Sequence, residues 1–64
     1  MEIGDRIRIK SYNDKDGNSI EVMIGQTGTV DLCRPDNPFI DCVMDNELGG
    51  TRLWMLMDYE LEVI

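Results

Sequence analysis

The sequence predicts an all-β fold, a small barrel built from five short strands. Apolar and polar residues alternate cleanly near both ends, in Gly4–Lys10 and in Glu60–Ile64. Between them, Gly25-Gln26-Thr27-Gly28-Thr29-Val30-Asp31 sets two glycines three residues apart, immediately before a strand-like run. Such glycines suit a tight turn that needs positive φ or close approach of another backbone. No stretch has the length or the 3.6-residue period of an ordinary helix.

The first strand is expected over residues 3–10, with Ile3, Ile7 and Ile9 inward and Arg6, Arg8 and Lys10 forming a basic outer stripe. Residues 11–24 form a long projecting, hairpin-like loop. Asp16-Gly17 is its turn, and Ile20–Ile24 alternate as in a strand. Strand two, Thr27–Cys33, offers Val30 and Leu32 to the core. Pro35 and Pro38 exclude a central strand, so Arg34–Pro38 reads as a loop. Strand three, Phe39–Met44, sets Ile40, Cys42 and Met44 against Phe39, Asp41 and Val43. A turn over Asp45–Gly50 leads to strand four, Thr51–Leu56. Met57-Asp58-Tyr59 forms one helical turn before strand five. If the terminal strands pair, Arg6 and Arg8 meet Glu60 and Glu62 across the ladder, each pair contributing roughly 0.2–1 kcal/mol.

Sixty-four residues make one domain, 1–64. A chain of this size buries only about 60% of the surface its unfolded form exposes, so almost every alternating apolar residue must turn inward. The 42% hydrophobic content supports a core. The longest apolar run, Leu53–Met57, is too short to span a membrane, and the chain starts on strand pattern without a leader motif. A cytoplasmic location is the expectation. In that compartment Cys33 and Cys42 read as reduced thiols.

The net charge is −7. Residues 1–10 hold three bases against two carboxylates, a net +1, whereas the other three bases face eleven carboxylates, a net −8. Such a surface repels phosphate and suits a basic protein partner.

The chain has no histidine, no serine or cysteine nucleophile with a partner base, and no P-loop lysine after Gly25/Gly28. We therefore expect no enzyme, no cofactor and no metal. Asp14, Asp16 and Asn18 fill positions 1, 3 and 5 of a calcium-loop pattern, but Ser19 and Gly25 stand where its glycine and glutamate belong. An Asx/Gly turn is the better reading. The carboxylates Asp41, Asp45, Glu47, Asp58 and Glu60 read as solvated.

The remaining candidate is Leu53-Trp54-Met55-Leu56-Met57. One parity (Leu53, Met55, Met57) is expected in the core. Trp54 and Leu56 would face outward beside Tyr12 or Tyr59, with Asp14 and Asp16 nearby on the first loop. These six residues form the expected partner-binding patch, unless the first loop folds over it. A homodimer is a further use of the same patch.

Gly4-Asp5-Arg6-Ile7-Arg8-Ile9, Gly25-Gln26-Thr27-Gly28-Thr29-Val30, Cys42-Val43-Met44-Asp45-Asn46 and Glu60-Leu61-Glu62-Val63-Ile64 resemble the KOW-type members of the Src-homology-3-like (SH3-like) small barrels. The resemblance spans nearly the whole chain and implies a five-stranded barrel with a long first loop and a helical turn before the last strand. It also implies RNA or protein contacts through the loops beside the glycine turn. RNA-binding members carry basic residues there. This chain carries Asp14, Asp16, Asp31 and Asp36 against Lys15 and Arg34. Peptide-binding members of the broader fold use an acidic first loop and an aromatic groove. Tyr12, Trp54 and Tyr59 are similar in type, although the Ala-Leu-Tyr-Asp-Tyr signature is missing.

The leading expectation is a small acidic interaction module for a basic protein, with inhibition by nucleic-acid mimicry as an extension. The alternative is a KOW-type nucleic-acid binder using Arg6, Arg8 and Lys10.

Overall fold

The alternating segments assemble into one antiparallel sheet. The computed structural model describes residues 1–64, with strands β1 (Arg6–Ile9), β2 (Thr27–Arg34), β3 (Asn37–Leu48), β4 (Thr51–Met57) and β5 (Leu61–Val63). A single 3-10 turn, Asp58–Glu60, joins β4 to β5. The strand order is β4-β3-β2-β1-β5, which leaves β4 and β5 as the two edges. No helix is long and apolar enough to cross a membrane.

One core lies on the inner face. Ile7 and Ile9 of β1, Val30 of β2, Ile40, Cys42, Met44 and Leu48 of β3, Leu56 of β4 and Leu61 of β5 are buried together with Met23. Their alternation with exposed neighbours is the two-residue period that the sequence displays. Ile3 is an exception to the expected inward set. It precedes β1 and stands exposed, because the chain turns at Gly4 before the sheet begins.

The two motif glycines have different tasks. Gly25 adopts φ of +91°, and its N–H donates to the Ile9 carbonyl at 2.8 Å. Gly28 lies where β2 and β3 press together. A Cβ there would sit 2.7 Å from the Val43 carbonyl oxygen and 2.9 Å from both Met44 Cα and Met44 Sδ.

The register departs from the expected one at three places. Val30 pairs with Cys42 but Leu32 with Asp41, so β2 carries a bulge at Asp31. The extra residue reverses the parity. Leu32 turns outward, and Cys33 packs against the core in its place. The expected loop at Arg34–Pro38 contracts to the two-residue turn Pro35-Asp36, with Arg34 opposite Asn37. Pro38 lies inside β3, at a second register shift where the ladder needs no N–H from it. Near the other end of β3, Val43 pairs with Leu53 and Leu48 with Thr51. Four residues of β3 (Met44–Glu47) thus oppose only Arg52, and the expected Asp45–Gly50 turn reduces to Gly49-Gly50.

The long β1–β2 connection does not project throughout. Its first half is the expected hairpin: Ile20 N–H donates to Tyr12 O at 2.8 Å and Asn13 bridges Ser19. Its second half, Glu21–Gly25, is a run of turns instead of a strand, with Met23 N–H donating to Ile20 O and Ile24 N–H to Glu21 O. These turns aim Met23 into the core, with Tyr12 and Ile20 packed beside it.

Replacing Gly28 by alanine forces its methyl into backbone atoms, so Gly28→Ala is expected to destabilise the fold by about 1–3 kcal/mol. A urea midpoint equal to that of the unsubstituted chain would refute this account of the glycine.

Candidate functional site

The outer face of β3 and β4 is the surface that the core does not use. Cross-strand partners share a face. Ile40 lies opposite Leu56 and Cys42 opposite Trp54, all on the inner side. Phe39 opposite Met57, Asp41 opposite Met55 and Val43 opposite Leu53 therefore form the outer side. Leu53 is 68% exposed and Met55 58%, while Leu56 is 1% exposed. The parity expected for this strand is thus reversed: Leu53 and Met55 meet solvent, and Leu56 belongs to the core. The cause is register. Asp41 has to face outward, and Met55 stands directly across from it.

Trp54 accordingly points inward, half-buried against the core. Its indole N–H is shared between the Leu48 and Thr51 carbonyls at 3.0 and 3.2 Å. Tyr12 covers it edge-on, ring centroids 6.1 Å apart and planes at 87°, a favoured aromatic geometry. The first loop therefore closes over Trp54, and the tryptophan tethers the β3–β4 hairpin. Tyr59 stands exposed on the 3-10 turn. Asp14 and Asp16 lie at the hairpin tip. There Asp14 Oδ1 accepts from the Asp16 and Asn18 N–H groups at 2.9 and 3.0 Å, an Asx turn. Of the six expected patch residues, Tyr12 and Trp54 pack together against the core that holds Leu56, Asp14 and Asp16 share the hairpin tip, and no single exposed patch unites the six.

The basic stripe is largely neutralised. Arg8 lies opposite Glu62 and forms the expected ion pair at 2.7 Å. Arg6 does not meet Glu60. Its guanidinium grips Asp45 through two bonds, 2.8 and 2.6 Å, and also donates to Thr29 Oγ1 at 3.1 Å. The Thr27 hydroxyl donates to the same Asp45 carboxylate. The bulged part of β3 carries Asp45 away from β4 and over to β1 and β2, which sequence spacing does not reveal. The Arg6 and Thr27 hydrogen bonds hold the Asp45 carboxyl well below the usual carboxylate range. Glu60 Oε1 instead accepts from the Met57 N–H at 2.8 Å. Lys10 is exposed.

The free edge of β4 is partly blunted. Leu53 N–H is taken by Thr51 Oγ1 at 3.1 Å and Met57 N–H by Glu60. By alternation, Trp54 and Leu56 bond to β3, and Met55 alone retains an outward N–H without such a cap.

A shallow groove of about 250 Å³ crosses this face, lined by Asp31, Asp41, Cys42, Leu53, Trp54 and Met55. The bulge supplies Asp31. Asp41 is held by Arg34 through Oδ2 at 3.1 Å, while its buried Oδ1 has no hydrogen-bond partner. Burial, with a smaller contribution from Asp41, pushes the Cys42 thiol up to about 11 and keeps it protonated at neutral pH. Chemically, the face combines apolar contact with acceptor oxygens. Sequence reasoning missed Leu53, Met55, Asp31 and Asp41 as a group because a one-residue bulge and one register choice bring them together.

No family model, curated protein or solved structure matches this chain. What the coordinates define is a class: an all-β chain with five antiparallel strands in one sheet.

Two outcomes follow from these contacts. Asp45 has a depressed folded-state pKa, so its contribution is complete above the ordinary carboxylate value of about 3.9 and is lost as pH falls through the folded one. The melting-temperature gap between the unsubstituted chain and Asp45→Asn should be widest near pH 7 and narrow steadily in strong acid; a gap independent of pH would contradict the pairing. Trp54→Ala should cost stability near the lower end of about 3–5 kcal/mol, since the indole is half-buried. Denaturant titration would expose the error if the loss stayed below 1 kcal/mol.

Proposed function

We propose that the chain is a small, non-enzymatic interaction module that docks a basic protein on the outer face of β3 and β4. The observation that carries this reading is the exposed pair Leu53 and Met55 set beside the carboxylates of Asp31 and Asp41. Apolar contact supplies affinity, and the −7 field accelerates encounter with a positive surface. The long first connection, the strand order and the 3-10 turn before β5 support an SH3-like small barrel of the KOW type as the scaffold. The same acidic exterior suits inhibition by nucleic-acid mimicry in the cytoplasm. The nucleic-acid alternative loses ground, because Arg6 and Arg8 are already paired with Asp45 and Glu62.

The test uses the immobilised chain and a cell extract at low salt. The unsubstituted chain should retain a basic protein, and the double variant Leu53→Ser/Met55→Ser should bind it at least about tenfold more weakly, as expected when central apolar anchors are removed. The two side chains are exposed, so stability should move by only about 0.5 kcal/mol per site. Undiminished retention by the double variant would remove the face from consideration. A salt-sensitive gel shift with RNA or DNA would favour the stripe instead.

A further inference from the structure

A basic partner must seat its cations somewhere on this molecule, and the groove over β3 and β4 has the composition for one of them. We propose that it receives an arginine side chain of the partner, the stem along Leu53 and Met55 and the guanidinium between Asp31 and Asp41. This rests on the reading of the chain as a binder of basic protein, and it specifies the place and the chemical group.

Size is the first argument. At about 250 Å³ the groove falls below the roughly 300–1,000 Å³ of small-molecule pockets and suits a single long side chain. Its walls come second. Exposed Leu53 and Met55 offer apolar surface to a methylene stem, whereas the head of such a side chain needs acceptors at the far end. Those acceptors are the third argument. Asp31 is exposed on the bulge of β2, and Asp41 lies across the strand from Met55. The Asp41 side chain keeps 30% of its surface, which leaves it open to a second donor beside Arg34.

Arginine fits better than lysine for two reasons. The guanidinium is planar with five N–H donors, and it is more weakly hydrated than an ammonium, so it loses less on entering an apolar groove. Asp41 also already accepts a guanidinium, that of Arg34, through Oδ2 at 3.1 Å. The incoming arginine would share that carboxylate with Arg34 on its exposed side.

The experiment titrates the full ¹⁵N-labelled chain at low salt with hexa-arginine and, separately, with hexa-lysine, following amide shifts. Hexa-arginine should move the Asp31, Asp41, Leu53, Trp54 and Met55 resonances and bind at least about threefold more tightly than hexa-lysine. Asp31→Asn should weaken it by about fivefold, and the control Glu21→Gln, on the exposed turn of the first connection, by less than about twofold. Asp41→Asn releases Arg34 and can disturb the sheet, so Asp31→Asn carries the decision. Equal affinity for the two peptides, or equal losses in Asp31→Asn and Glu21→Gln, overturns the arginine site while leaving a basic partner in place. Silence from both peptides up to millimolar concentration overturns the basic-partner reading along with it.

Discussion

β3 is the only strand that pairs along most of its length with two long neighbours, β2 on one side and β4 on the other. Its inward residues Ile40, Cys42 and Met44 are all buried, and Asp41 between them must stay on the outer side. That single alternation decides which face of β4 is which: Leu56 and Trp54 follow Ile40 and Cys42, while Met55 follows Asp41. It also brings β2 so close that only a hydrogen fits at Gly28. A slip of one residue in this ladder would bury a carboxylate and expose the core at once, which is why the register is strongly specified.

The ion pairs share that dependence. Arg6, Arg8 and Arg34 are each held by a carboxylate, Asp45, Glu62 and Asp41 respectively. With half of the chain's bases engaged internally, the remaining carboxylates dominate the exterior. The pairs are roughly half exposed, so each adds modestly to stability. Their larger effect is on the charge that the surface presents. They engage Arg6 and Arg8 of the stripe on β1 and leave a net field that attracts positive charge.

The first connection covers the inner side of the sheet beside Trp54. Met23, Ile20 and Tyr12 turn the loop inward, and the Tyr12 ring seals the tryptophan. The inner side is thereby closed. Apolar surface remains on the other side of the same two strands, beside acidic groups that the bulge of β2 and the register of β3 deliver. A strand of five consecutive apolar residues thus serves two environments, a core and an exposed face.

Local chemistry in the sequence was enough to place much of this. Alternation marked the first and last strands, Gly25 and Gly28 marked a tight approach, Asp16-Gly17 marked a turn, and Arg8 and Glu62 marked the pairing of the ends. All of these depend on neighbours within a few residues or on a two-residue period. What needed the tertiary structure was everything downstream of an irregularity: the bulge at Asp31, the shift that lets Pro38 enter β3, and the excess of β3 over β4 that carries Asp45 to Arg6. In Leu53–Met57 both parities are apolar, so periodicity offers no preference between them. Only the opposing strand, with Asp41 across from Met55, breaks that tie, because a charge costs more to bury than a thioether costs to expose.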